Sequence, residues 1–270
     1  MIGRNSFLGL VLMAVTMLVP DDYSSARAAS LETLKKFQSI QVIPLESHAL
    51  LLEDHTAFMG SKVANLGLIP RSDISKQRGW LVVGTLMMLA EANSPERQER
   101  ESAASAQAEE ILKGKGLWSP NVELAKEVAK QLSAVGLNAT VSEQTRSLPP
   151  LQDFGTSNTA GLRRANAWYA DTDATDRYRS SGINSSTAVM EVGLGNYGIG
   201  VGTFYIRVLL KVFEPQSGKF LGRARQFEHY DRIGREDLWS NDGAGFKERF
   251  AQLTRTAVAG ALRDIGVEPK

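Results

Sequence analysis

Two stretches of the chain carry apolar residues at helical spacing. In the first, the apolar residues recur every three or four positions as Leu124, Val128, Leu132 and Val135. In the second, they are Phe246, Phe250, Leu253, Ala257 and Ala261. Ser119-Pro120 suits the start of the first helix, because proline lacks the N–H that the first turn leaves unbonded. Gly136 and Gly266 suit the two helix ends. Both stretches are therefore predicted to be amphipathic helices, each with one buried face.

Apolar runs bounded by turn residues predict the strands. In the C-terminal half these runs cover residues 188–194, 204–213 and 220–230. A turn at Glu214 to Gly218 joins the last two, since proline fixes φ and glycine tolerates positive φ. Residues 40–52, interrupted by Pro44, and residues 137–141 also read as strands. The order β-β-β-α in the C-terminal half predicts an α/β (α+β) fold, with a mixed sheet covered by the two amphipathic helices.

Three further segments have weaker patterns. Residues 80–89 form an apolar run, predicted to be a buried strand or core helix because about 20 apolar residues are needed to span a bilayer. Residues 91–116 are polar and rich in alanine, so a solvated helix or a mobile excursion is expected after Ser94-Pro95. Residues 146–186 are polar and irregular, with one short helix expected near residues 162–169.

The N-terminus has the pattern of an export signal. Arg4 precedes the uncharged apolar run Phe7 to Pro20, and Ala26-Arg27-Ala28 supplies the small residues that signal peptidase requires before Ala29. We therefore predict a periplasmic or secreted protein of a bacterial envelope, with no membrane span after cleavage. An uncleaved anchor is the alternative. The predicted divisions are a signal peptide at 1–28, an N-terminal half at 29–145, a connector at 146–186 and a β-β-β-α half at 187–270, with the two halves forming one compact domain.

Composition narrows the classes of function. The 270 residues include no cysteine, so neither disulfides nor a lipid-bearing cysteine is available. The 31 Lys and Arg residues against 30 Asp and Glu give a net charge of +1. A near-neutral chain has no global field to attract nucleic acid, so nucleic acid is not expected as a partner.

The strand-turn-strand around residue 217 resembles a recurrent motif of bacterial envelope proteins. That motif reads roughly v-x-D-x-x-[ST]-G-x-x-x-G. Here Phe213 to Gly222 reads FEPQSGKFLG, which matches Ser217, Gly218 and Gly222 and carries Glu214-Pro215 near the usual aspartate. The similar domains are those of the curli-secretion lipoprotein, the lipoprotein activators of penicillin-binding proteins and the N-terminal part of the Tol-associated β-propeller protein. The resemblance implies an accessory or scaffolding role without catalysis, although the lipidated members have a cysteine that this chain lacks.

Gly193-x-Gly195-x-x-Gly198 has the spacing of a dinucleotide-binding loop and follows a predicted strand. Such a loop works only where a helix N-terminus follows to hold the pyrophosphate. Here further glycines and another strand follow. A glycine-rich β connection is the better interpretation, and no cofactor is predicted.

His48 and His55, each two residues after a glutamate, are the candidates for a metal site. Two histidines and a carboxylate can bind Zn²⁺, but this spacing fits no closed zinc motif. Asp171-x-Asp173 begins like a calcium loop and lacks its later glycine and glutamate. His229 stands alone in a strand and is read as structural. No metal is predicted, and a cell-wall-directed hydrolase or metal-dependent enzyme using His48, His55 and a carboxylate is the alternative function.

One face of the strand at 204–213 is predicted to bind a partner. Its even positions are apolar and read as core, whereas the other face mixes aromatic and basic residues, and the next strand turns Phe227 to the same side. Such a face suits an envelope protein, an acidic glycan or a lipid headgroup. The alternative is that these long side chains only shield an exposed sheet. The predicted binding residues of this non-enzymatic accessory or scaffold protein are Arg207, Lys211, Arg223 and Arg225.

Overall fold

The computed structural model describes residues 31–52, 95–114, 118–150, 159–172, 178, 182–200, 203–231 and 235–268. In these ranges the strands are β1 (Ser39–Pro44), β2 (Leu51–Leu52), β3 (Ala139–Val141), β4 (Thr187–Gly200), β5 (Thr203–Glu214) and β6 (Lys219–Asp231). The helices are α1 (Leu31–Leu34), α2 (Pro95–Lys113), α3 (Pro120–Ala134), α4 (Thr159–Ala170) and α5 (Arg235–Asp264). A mixed sheet with helices packed on it confirms the predicted α/β class. The predicted signal peptide and the apolar run at 80–89 lie outside the described residues.

The sheet combines parallel and antiparallel pairs. Its order is β3-β1-β4-β5-β6, and β2 pairs with β4 beside this path. β1 runs parallel to β3 and to the first part of β4, and β2 runs parallel to the last part of β4. β4, β5 and β6 follow each other in antiparallel order. The long strand β4 is therefore central to the sheet, since β1, β2 and β5 all pair with it.

One face of the sheet is covered by α2, α3 and α5. Leu132 of α3 and Phe250 of α5 are buried in the main core, as the apolar stripes of both helices predicted. Of the two alternatives predicted for this segment, a solvated helix or a mobile excursion, the structure shows a helix, α2, and its Ala108 and Leu112 are buried in the same core. None of the helices in the described ranges is both long and apolar enough to cross a membrane.

The backbone of α5 leaves ordinary helical geometry near its start. Asn241, Asp242 and Gly243 have φ values of 52°, 57° and 72°. This left-handed region costs a residue other than glycine about 1–2 kcal/mol. A Cβ added to Gly243 would also lie 2.7 Å from Leu112 Cδ2 of α2. Glycine at position 243 therefore avoids both the backbone strain and a displacement of the Leu112 side chain.

The second face of the sheet is covered over only part of its length. α4 and Tyr178 pack there, and Leu209, Lys211 and Phe213 of β5 are fully buried. The prediction that this whole face of β5 is open to solvent is therefore wrong. The cover comes from the short helix predicted near 162–169, which packs against β4 and β5. Farther along the same face Phe227 is exposed, so the face has a covered half and an open half.

Candidate functional site

A network of buried charges lies under α4 on the covered half. Glu191 of β4 is fully buried and accepts hydrogen bonds from Trp168 Nε1 at 2.8 Å and from the Tyr178 hydroxyl. Arg146 adds an ion pair, with its Nη1 atom 3.4 Å from Glu191 Oε1. Burial, assisted by the charge of Glu191, raises the pKa of Tyr178. The Tyr178 hydroxyl therefore stays protonated and acts as a donor to the carboxylate.

Lys211 stands opposite Glu191 in the β4–β5 register and is also fully buried. Its ammonium donates to the backbone oxygen of Trp168 at 2.7 Å and to that of Asp171. It also lies 4.8 Å from the centroid of the Trp168 ring and 5.1 Å from that of Phe213. The carbonyl groups at a helix C-terminus carry partial negative charge, so a cation there is stabilising. Lys211 thus holds the end of α4 on the sheet, and the prediction that it faces a partner is wrong.

Arg223 contacts the same end of α4. Its Nη1 atom donates to Tyr169 O at 2.9 Å and lies 3.3 Å from Ala170 O, and its guanidinium carbon lies 5.0 Å from the centroid of the Tyr169 ring. Lys211 and Arg223, two of the four predicted binding residues, therefore both contact backbone oxygens at the end of α4. These contacts explain why basic residues stand at the two positions.

The open half of the same face carries three aromatic side chains that we call the ring strip: Tyr205 on β5, and Phe227 and His229 on β6. The centroids of Tyr205 and Phe227 are 6.3 Å apart with planes inclined by 26°, and those of Phe227 and His229 are 6.0 Å apart with planes inclined by 25°. Neighbouring rings of the strip are therefore nearly parallel. Phe227 is 47% exposed, and His229, read from the sequence as structural, lies at the surface beside it.

Two arginines stand beside the ring strip. Arg207 lies opposite Phe227 in the β5–β6 register, with its guanidinium carbon 5.8 Å from the centroid of that ring. Arg225 is exposed and lies opposite Leu209 on the same face. Partial burial, and then the positive charge of Arg225, lower the pKa of Arg207. The two guanidinium groups therefore repel each other, and an anion bound between them would relieve that repulsion.

The glycines of the dinucleotide-like spacing all lie inside β4, where each makes room for a neighbour. A Cβ on Gly193 would lie 2.8 Å from Leu45 Cδ1, and one on Gly198 would lie 2.2 Å from the Leu51 backbone oxygen. The register of β4 against β5 shifts at Gly195, where a Cβ would lie 3.0 Å from Arg207 Cδ. The glycines thus serve close packing, and Gly195 leaves the space along which the Arg207 side chain reaches the ring strip.

His48 is buried in the connection between β1 and β2. Its Nδ1 atom is 2.8 Å from Ala49 O and its Nε2 atom is 3.1 Å from Gly195 O. Burial lowers the pKa of His48 and so favours the neutral ring. Among the described residues no group of three or more histidine and acidic side chains converges to hold a metal ion. His55 and Asp173 lie outside those ranges.

The sequence pattern singled out neither Glu191 nor its partners Trp168 and Tyr178. A signal was present, because Glu191 is the one charged residue in the otherwise apolar strand 188–194. Buried carboxylates are rare unless they are paired. The structure supplies the partners of this carboxylate, because Trp168 and Tyr178 donate to it and Arg146 forms its ion pair.

Comparison with known proteins assigns the chain to no family. No protein-family model matches the chain, and no curated protein matches it. Among solved structures the chain is similar to a variant PelC dodecamer from Paraburkholderia phytofirmans, at 9% identity over 86% of this chain and 91% of that one, with a TM-score of 0.34. A second PelC dodecamer structure from the same organism has 12% identity over 54% of this chain and 75% of that one, with a TM-score of 0.28. Similarities at this level carry no argument about function.

Proposed function

We propose that this chain is an exported, non-enzymatic accessory or scaffold protein of a bacterial envelope, and that it acts by binding an acidic partner. The observation that supports the proposal is the ring strip with Arg207 and Arg225 beside it, where aromatic contact area and positive charge coincide at the surface. Guanidinium groups bind carboxylates and phosphates through charge-assisted hydrogen bonds. Rigid rings add contact area at little cost in conformational entropy.

The buried side chains of Glu191, Lys211 and His48 make contacts within the fold. Glu191 and Lys211 are fully buried beneath α4, and their hydrogen bonds hold that helix and Tyr178 to the sheet. His48 has a backbone oxygen beside each ring nitrogen. A general acid or base must come within hydrogen-bonding distance of the group on which it acts. These contacts therefore favour a binding protein over a hydrolase that uses His48.

Export is tested by N-terminal sequencing of the mature protein from a periplasmic or secreted fraction. The mature chain should begin at or near Ala29, because Ala26-Arg27-Ala28 fits the signal-peptidase pattern. A chain in that fraction beginning at Met1 would contradict cleavage and favour the uncleaved anchor.

Binding through the ring strip is tested by sedimentation of the purified mature protein with washed envelope material. Arg207→Gln combined with Arg225→Gln should weaken cosedimentation at least about tenfold, since each 1.4 kcal/mol is a factor of ten and each charge-assisted hydrogen bond is worth about that much or more. The matched control is Lys126→Gln with Lys130→Gln, which removes two cations that are 59% and 70% exposed on α3. Equal cosedimentation by both double variants would refute a role for the ring strip.

A further inference from the structure

We infer that the acidic partner of the ring strip is a glycan whose sugar units carry carboxylate groups. The inference rests on the proposed function and specifies its ligand. It follows from the arrangement of two kinds of side chain on one sheet face: the near-parallel rings of Tyr205, Phe227 and His229, and the guanidinium groups of Arg207 and Arg225.

The rings favour a ligand that is itself a flat unit. Because the planes of neighbouring rings differ by only 25° and 26°, a ligand ring placed against one of them is nearly aligned with the next. The face of an aromatic ring carries the negative part of its quadrupole. The C–H groups on one face of a sugar ring are weakly positive, so they are attracted to such a surface.

The two positively charged guanidinium groups favour a ligand that carries negative charge. Arg207 stands directly opposite Phe227, and the positive field of Arg225 acts on Arg207. A sugar stacked on the strip therefore places its exocyclic substituent within reach of a guanidinium. A carboxylate matches the two parallel donors of a guanidinium fork, which selects an acidic sugar over a neutral one.

The direction of the strip favours a polymer. Arg225, Phe227 and His229 alternate along β6 on one face, and alternate residues of a strand are about 6.8 Å apart. The order along the strand is thus cation, ring, ring, on a line rather than in a closed pocket. A linear chain can lie along this line and repeat the same two contacts with successive units.

A membrane surface fits these features less well. Interfacial binding needs a broad apolar face and a strong positive field to attract anionic lipids. In the part of the chain that the structure describes, Phe227 is the only large apolar side chain that is exposed. The whole chain carries a net charge of only +1.

The test measures binding of the purified mature protein to polygalacturonate by isothermal titration calorimetry. Carboxyl-reduced polygalacturonate serves as the neutral comparison. Binding should be about tenfold weaker for Arg207→Gln with Arg225→Gln and for Phe227→Ser, because each removes one of the two contact types. Phe227→Tyr, which keeps the ring, should bind more tightly than Phe227→Ser, and binding should be unchanged for the Lys126→Gln and Lys130→Gln control. Circular dichroism and the urea midpoint of each variant establish that it is folded.

The outcomes separate this inference from the proposed function. Equal binding of the carboxyl-reduced polymer, or binding to phosphatidylglycerol vesicles in place of polygalacturonate, overturns the acidic-glycan inference. So does a concentration-dependent molecular mass that Phe227→Ser abolishes, because the occupant of the strip would then be a second copy of the chain. If the strip is required for envelope cosedimentation but no polygalacturonate binds, the inference alone fails. If cosedimentation does not depend on the strip, the proposed function fails with it.

Discussion

Replacing Lys211 by methionine tests whether the two buried charges under α4 act as a pair. Methionine keeps most of the length and volume of the side chain but removes the charge and the hydrogen bonds to the backbone oxygens of Trp168 and Asp171. The two backbone oxygens would then lose a charged donor, and Glu191, opposite in the register, would keep Arg146 as its ion-pair partner. A hydrogen bond to a charged group is worth about 1.5–3 kcal/mol. We expect Lys211→Met to lower the free energy of unfolding by that amount, measured by urea denaturation.

A double-mutant cycle isolates the interaction itself. Glu191→Met with Lys211→Met removes both charges, and Arg146, with 30% of its side chain exposed, can turn toward water. The double variant should be less destabilised than the sum of the two single variants by about 0.5–3 kcal/mol, the range for residues in one network. Lys130→Met, which removes a cation that is 70% exposed on α3, should change the free energy of unfolding by less than about 0.5 kcal/mol. Additivity of the two buried substitutions within about 0.5 kcal/mol would refute the pair.

Three further predictions concern the core, the strained turn and the buried histidine. Leu132→Ala and Phe250→Ala should each lower the free energy of unfolding by about 2–5 kcal/mol, since both side chains are buried, and a neutral result in urea denaturation would mean that the helix face is misassigned. Gly243→Ala should lower it by at least about 1 kcal/mol, because φ is 72° and the new Cβ would lie 2.7 Å from a leucine carbon of α2; an unchanged thermal midpoint would contradict this. Burial lowers the pKa of folded His48 below its usual 6.5, so the unfolded chain takes up that proton first and the stability present above pH 6.5 is lost as the pH falls. His48→Gln should flatten this slope, at most about 1.4 kcal/mol per pH unit, and equal slopes in wild type and His48→Gln would count against the assignment.

The helical stripes were predictable from sequence because they are local. Leu132 and Phe250 belong to patterns in which every third or fourth residue is apolar, and such a pattern has only one way to bury its apolar face. The strands β4, β5 and β6 were predictable from their apolar runs and from the turn at Glu214 to Gly218. Their existence depends on residues next to each other in the sequence, so no knowledge of the tertiary contacts was needed.

The exposure of the second sheet face was not predictable in the same way. Alternation along β5 separates two faces but does not say whether a helix from elsewhere covers the second one. Lys211 and Arg207 share that face and are both basic, yet Lys211 is fully buried and Arg207 is partly exposed. The difference comes from α4, which is more than thirty residues away in the sequence. Leu209 and Phe213 are apolar and lie on the same face as Lys211. These two residues were the only indication in the β5 sequence that another element covers this half of the face.

The boundary between the covered and the open half coincides with the bulge at Gly195. Before it, β4 presents Glu191 to the network under α4, and beyond it β4 lies against β5 residues near the ring strip. A bulge adds one residue to a strand and redirects the side chains beside it, which is why bulges are frequent next to functional sites. Here the absent Cβ of Gly195 leaves the space occupied by the stem of Arg207. A single strand irregularity thus separates the half of this sheet face that holds α4 from the half on which Arg207, Arg225 and the ring strip lie.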